Sequence, residues 1–197
     1  NDKGPPRPAV NATNIYTTLL QGKIVKGYQH IRITNAGNGT LKFTSSSTAT
    51  WLTVSPPTGT VTTQSFPMAL NYDTTGLAVG NYSSTLKISN ANGFKNIAVA
   101  LDVAPVLPPA PTRMRATSNR TDGILVSWAP VSVAVKYRVF RGLSPQATNL
   151  TELNSTTDTS ILDTSAVALQ PYYYFTKTVG ASYPSNFSIH ARGEKRP

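Results

Sequence analysis

The sequence is expected to fold as an all-β chain of two tandem β-sandwiches, and three observations carry that expectation. Short stretches alternate apolar and polar residues, and no apolar stretch keeps helical spacing over several turns. Gly, Pro, Asn and Asp interrupt these stretches every ~8 to 15 residues, the rhythm of short antiparallel strands joined by tight turns. Prolines gather in two runs, GPPRPAV at 4–10 and APVLPPAP at 104–111, and the second divides the chain into halves. With 197 residues, 39% of them hydrophobic, the chain has enough apolar side chain for two cores of roughly 90 residues each.

Residues 1–10 read as a stiff proline-rich lead, because proline removes backbone donors and favours an extended conformation. The first domain is expected over 11–104. Ile31 and Ile33, Leu41 and Phe43, Met68, Leu70 and Tyr72, then Tyr82, Leu86 and Ile88 mark its strands. In the last of them Ile97, Val99, Leu101 and Val103 share one face. NAGNG at 35–39, PPTG at 56–59, 76–80 and NANG at 90–93 supply the turns. Residues 105–111 read as a linker and 112–197 as the second domain. There Ile124, Val126 and Trp128 fall on one face of a strand, and Tyr137 and Val139 on one face of the next.

Several tracts of the first half resemble the BACON and related bacterial immunoglobulin-like domains: IRITNAGNGTLKF from Ile31, WLTVSP at 51–56 closing on Gly59, NYDTTGLAVGNYSSTLKIS from Asn71, and IAVALDV ending at Val103. The family's name records a proposed link to carbohydrate binding, and many such domains look like spacers. The second half resembles a fibronectin type III domain over nearly its whole length. PAPT at 109–112, GILVSW at 123–128, KYRVFRG at 136–142, ILDTS at 161–165 and LQPYYYF at 169–175 carry the likeness. The Gly-Thr usual between the proline and the corner tyrosine is missing, which leaves Tyr172 and Tyr173 as alternatives for the tyrosine corner.

No enzyme is expected. The chain has no Cys and two His, His30 and His190, neither near a nucleophile-and-acid motif. Asp73 and Asp163 sit in matching Asp-Thr-Thr and Asp-Thr-Ser turns, where the carboxylate caps backbone amides, so they read as turn residues. No DxDxDG loop occurs, so neither a metal nor a cofactor is expected. Trp51 and Trp128 read as core. The net charge of +10 divides as +1 over 1–8, +4 over 9–104 and +5 over 105–197, a solvated basic surface without a nucleic-acid recognition module. Without a run of about 18 apolar residues there is no spanning helix, and a chain starting at Asn1 without Met reads as processed or trimmed.

Two sets of residues are candidates for function. Tyr172, Tyr173, Tyr174 and Phe175 place two rings on each face of a strand, a candidate contact surface. Val10, Ile15, Tyr16 and Leu19 belong to a β-prone stretch, Val10 to Leu20, that could add to a neighbour's open sheet edge. Seven Asn-x-Ser/Thr sequons are present, at Asn11, Asn38, Asn81, Asn119, Asn149, Asn154 and Asn186. Together these readings point to a non-catalytic extracellular or cell-surface protein of structural or adhesive type, a subunit of a surface fibre or of the coat of a larger assembly. Its expected partners are other protein subunits, with a cell-surface glycan as the further candidate. The alternative is a carbohydrate-binding accessory module of a secreted polysaccharide-degrading system.

Overall fold

The computed structural model describes residues 3–197, so Asn1 and Asp2 of the expected lead lie outside the described residues. The chain divides into two compact units, Asn1–Pro105 and Val106–Pro197, each an all-β sandwich.

In the first unit the strands are β1 (Pro8–Val10), β2 (Asn14–Leu20), β3 (Ile24–Asn35), β4 (Leu41–Ser47), β5 (Leu52–Ser55), β6 (Thr58–Val61), β7 (Phe66–Asp73), β8 (Gly80–Asn90) and β9 (Gly93–Ala104). One sheet has the order β1-β3-β7-β5 and the other β2-β9-β8-β4-β6. The alternation works as expected. Ile31, Ile33, Met68, Leu70 and Tyr72 point inward from the first sheet against Leu41, Phe43, Leu86, Ile88, Ile97, Val99, Leu101 and Val103 from the second. Trp51 is buried among them and stacks on Tyr72, ring centroids 6.4 Å apart.

The proline-rich lead is fastened to the first domain through its carbonyls. Proline cannot donate, but the carbonyls of a proline-rich stretch still accept. Gly4 O takes the Asn38 N–H, Arg7 O takes the Ala36 N–H, and Pro6 O takes the side-chain amides of Asn90 and Asn92. β1 then pairs antiparallel with β3. At Asn11 the chain changes sheets: its Oδ1 accepts the Arg32 N–H at 2.7 Å, and β2 continues as the edge of the other sheet, parallel to β9.

A buried threonine closes the turn between β2 and β3 onto the end of β7. Thr74 Oγ1 accepts the Lys23 N–H at 2.8 Å and donates to Leu20 O at 2.8 Å, and no part of the residue reaches solvent. Thr74→Val is expected to lose about 1–3 kcal/mol, because it leaves buried backbone groups unpaired, whereas Thr74→Ser retains most of it. Urea unfolding of the two variants checks this.

The second unit contains β10 (Arg115–Ala116), β11 (Ile124–Ser127), β12 (Lys136–Gly142), β13 (Thr151–Thr156), β14 (Ser160–Asp163), β15 (Pro171–Val179) and β16 (Ala191–Glu194). A sheet of order β10-β11-β14 packs on one of order β13-β12-β15-β16, and every pair is antiparallel. Ile124, Val126, Trp128, Tyr137, Val139, Tyr172 and Tyr174 form the core. The tyrosine corner falls to Tyr172. Its ring points inward and its hydroxyl accepts the Val167 N–H five residues upstream at 3.5 Å, while Tyr173 points out.

Asp163 joins the two sheets of this unit. Its Oδ1 caps the turn as expected, accepting from Ser165 N–H at 3.1 Å and Ser165 Oγ at 2.7 Å. Its Oδ2 reaches across the sandwich to accept from Tyr174 Oη at 2.8 Å and Arg141 Nη1 at 2.9 Å. The carboxylate is 2% exposed. Burial alone would raise its pKa, but the bonds from Ser165, Tyr174 and Arg141 outweigh burial and hold it below the ordinary carboxylate range. The Tyr174 phenol is pushed up, first by burial and then by donating to Asp163. Arg141 also lies over the Tyr172 ring, 4.4 Å from its centroid, so the corner and the carboxylate share one cation.

Candidate contact face

The outer face of the sheet β13-β12-β15-β16 carries a cluster of aromatic rings bordered by cations. Arg138 lies opposite Lys177 and Phe140 opposite Phe175 across the β12–β15 ladder, so these side chains share a face, with Tyr173 two residues further along β15. Phe187 and His190 come from the segment before β16. That segment runs beside β15 without regular pairing. Ser185 and Ser188 donate their N–H groups to Thr178 O and Thr176 O, while their hydroxyls accept the N–H groups of Thr178 and Thr176. Three residues therefore span what two would span in a ladder, and the excess length turns Phe187 onto the outer face.

Three of the four ring pairs meet edge to face, and Phe175 with His190 is tilted. Phe187 is 5.1 Å from Phe140 and 6.1 Å from Phe175, and His190 is 5.4 Å from Tyr173 and 5.9 Å from Phe175, measured between centroids. Such geometry sets the positive edge of one ring against the negative face of another and fixes the cluster's shape. Lys177 Nζ lies 4.1 Å from the Phe187 centroid and Arg138 Cζ 5.2 Å from that of Phe140. Arg138 also forms a two-pronged ion pair with Glu152, and Arg192 pairs with Glu194. Lys177 has no ion pair among the described residues and Lys136 shares Glu152 with Arg138, so cations outnumber acids on this face. Phe140 and Phe175 are the buried floor, and Phe187 at 41% exposure is its exposed apolar part.

Of the four aromatic residues that the sequence marks as a contact surface, Tyr172 and Tyr174 lie in the core and Phe175 is covered by Phe187 and His190, so Tyr173 is the one that reaches the surface. Sequence reasoning missed Phe140, Phe187 and His190. Phe140 carries a signal, an aromatic on the polar face of KYRVFRG, whereas Phe187 lies in a stretch with no strand period. The candidate assembly strand is paired within its own chain: Val10 with Ile33, Ile15 with Val99, Tyr16 with Ala100 and Leu19 with Val103. Ile15 and Leu19 pack on the core and Tyr16 projects to solvent. Among the described residues no three His, Cys, Asp or Glu side chains converge.

Residues 14–102 match the family model described as the viral BACON domain, where the sequence likeness had pointed to bacterial members. No curated protein matches the chain. Among solved structures, titin domains A168–A170 are similar at 14% identity over 97% of this chain and 67% of that one, with a TM-score of 0.46. An Fn3-like protein from Clostridium thermocellum is similar at 21% identity over 47% of this chain and 97% of that one, TM-score 0.43. Chicken CNTN1 FN1–FN3 domains are similar at 12% identity over 91% and 65%, TM-score 0.42. With the BACON match over β2–β9 and the strand order and tyrosine corner of the second sandwich in hand, the chain is a BACON-like domain followed by a fibronectin type III-like domain.

Proposed function

We propose that the chain is a non-catalytic extracellular protein of structural or adhesive type, a subunit of a surface fibre or coat, and that its second domain docks another protein subunit through the face centred on Phe187. Domains of these two kinds commonly mediate protein–protein contacts and are typically non-catalytic. The observation that carries the reading is the ring cluster itself. Phe187 and His190 from the segment before β16, with Tyr173 of β15, lie over a closed aromatic floor with Lys177 and Arg138 beside it, the composition of an interface anchor rather than of an ordinary solvated face. The basic rim favours an acidic partner surface. A family described as viral fits a subunit built into, or attached to, the outside of a larger particle.

Light scattering and negative-stain microscopy on the natively purified protein test this. A fixed oligomer or long polymers are expected, and Phe187→Ala with Tyr173→Ala should weaken assembly by roughly 30-fold or more, the effect of removing an aromatic hot spot worth about 2 kcal/mol. A monomer unaffected by the double variant, with no cross-linked neighbour on the native surface, overturns the reading. The same exposed rings favour one second reading, carbohydrate binding by an accessory module. Selective glycan-array binding lost in Tyr173→Ala would replace protein docking with that function.

A further inference from the structure

The seven sequons are not alike once folded. The chain's 14 asparagines and its Ser and Thr content would produce about three sequons by chance, so the excess asks whether any is built as an acceptor. All seven sequon asparagines are exposed. An acceptor needs more than exposure: a side-chain amide free to turn, a hydroxyl two residues on that a transferase can read, and a backbone outside a ladder.

Most sequons fail one of these. Asn11 Oδ1 is held by the Arg32 N–H and Asn154 Oδ1 by the Ser155 N–H. Asn81 lies within β8, paired opposite Asp102. Asn38 sits in a turn braced by Asn35, with its own N–H on Gly4 O. At Asn186 the hydroxyl is the obstacle, because Ser188 is buried and its Oγ accepts the Thr176 N–H.

Asn119 passes all three, and Asn149 passes them at the asparagine itself, its Thr151 opening β13 opposite Arg141. Both sit in bends between strands, Asn119 between β10 and β11 and Asn149 between β12 and β13. Neither side chain has a hydrogen-bond partner among the described residues, so each amide is free to turn. Thr121 and Thr151, their +2 residues, are exposed.

We infer that Asn119 and Asn149 are N-glycan acceptors of the folded second domain. In the transfer, Nδ2 attacks C1 of an oligosaccharide carried on a lipid pyrophosphate. The N–C1 bond forms, the C1–O bond to pyrophosphate breaks, the lipid pyrophosphate leaves, and the amide proton passes to a base of the transferase. In the organism this rests on the extracellular reading, since the transferase acts on exported chains. Asn186 adjoins Phe187, so its locked hydroxyl keeps a glycan off the contact face.

The test uses the purified, folded full chain, a single-subunit oligosaccharyltransferase that reads Asn-x-Ser/Thr, and a lipid-pyrophosphate oligosaccharide, with sites mapped by mass spectrometry after enzymatic release in heavy-oxygen water. Glycans are expected at Asn119 and Asn149, lost one each in Thr121→Ala and Thr151→Ala, with Asn186 modified only when the chain is unfolded during the reaction. No transfer to the folded chain, or transfer to Asn186 as fast as to Asn119, overturns the inference. Transfer in vitro is independent of location. Finding the native protein inside the cell would overturn the extracellular reading and leave the acceptor assignment standing.

Discussion

Asp163→Ala is expected to destabilise the second domain by about 3–5 kcal/mol, the cost of removing one member of a buried ion pair and leaving its partners unmatched. Three groups lose their acceptor together: the Arg141 guanidinium, the Tyr174 hydroxyl and the Ser165 turn. Asp163→Asn is expected to cost less, since its amide oxygen still accepts from Ser165. One tryptophan in each domain, Trp51 and Trp128, makes the measurement direct. In a Trp51→Phe background, urea unfolding followed by fluorescence reports the second domain through Trp128. In a Trp128→Phe background Trp51 reports the first domain, the comparison that assigns the loss to the second. The pH dependence has a definite sign. Asp163 titrates lower when folded than its ordinary 3.8, so its contribution is complete above that value and is lost as pH falls through the lower folded pKa. The acid limb of the second domain's stability should therefore flatten in Asp163→Ala.

Trp51→Ala is expected to cost the first domain about 3–5 kcal/mol, as for other buried tryptophans cut back to alanine. The ring is 7% exposed and lies nearly parallel to Tyr72, at 15° between planes. Removing it opens a cavity against Tyr72, whose hydroxyl donates to Gln29 Oε1 at 2.6 Å. Burial, with Tyr28 nearby, pushes the Tyr72 phenol up to about 12. Ultraviolet titration supplies a second readout: with Trp51 gone, water reaches Tyr72 and its ionisation should move down toward the ordinary 10. The same shift means that wild-type stability falls as pH rises from 10 toward 12, because the unfolded chain gives up the proton first.

Features set by local pattern were legible in the sequence, and features set by long-range register were not. IAVALDV declares a strand with one buried face, and that face is Ile97, Val99, Leu101 and Val103. Asp73 and Asp163 declare turn caps because the groups they bind are two residues away. The rest of the Asp163 cluster comes from Tyr174, 11 residues on, and Arg141, 22 residues back, and no local rule joins them. The contact face was half legible for the same reason. LQPYYYF announces an aromatic strand, but only the pairing of Phe140 with Phe175, and the irregular course of the segment holding Phe187, decides which rings meet. Proline content suggested a stiff lead because it counts lost donors, and says nothing of the carbonyls by which that lead is fastened.

The parallel pairing of β2 with β9 has a mechanical consequence. β2 is reached from the chain's N-terminal side at Asn14, and β9 leaves toward the next domain at Ala104, so the two neighbours run the same way with their outer connections at opposite ends. Once β1 has come away from β3, tension through those connections pulls one strand along the other, and the seven register pairs from Asn14–Ala98 to Leu20–Ala104 are loaded together instead of opening one after another. Forced unfolding is governed by the rate of crossing that barrier rather than by equilibrium stability. The first domain is thus clamped wherever a pull enters along β2 and leaves along β9.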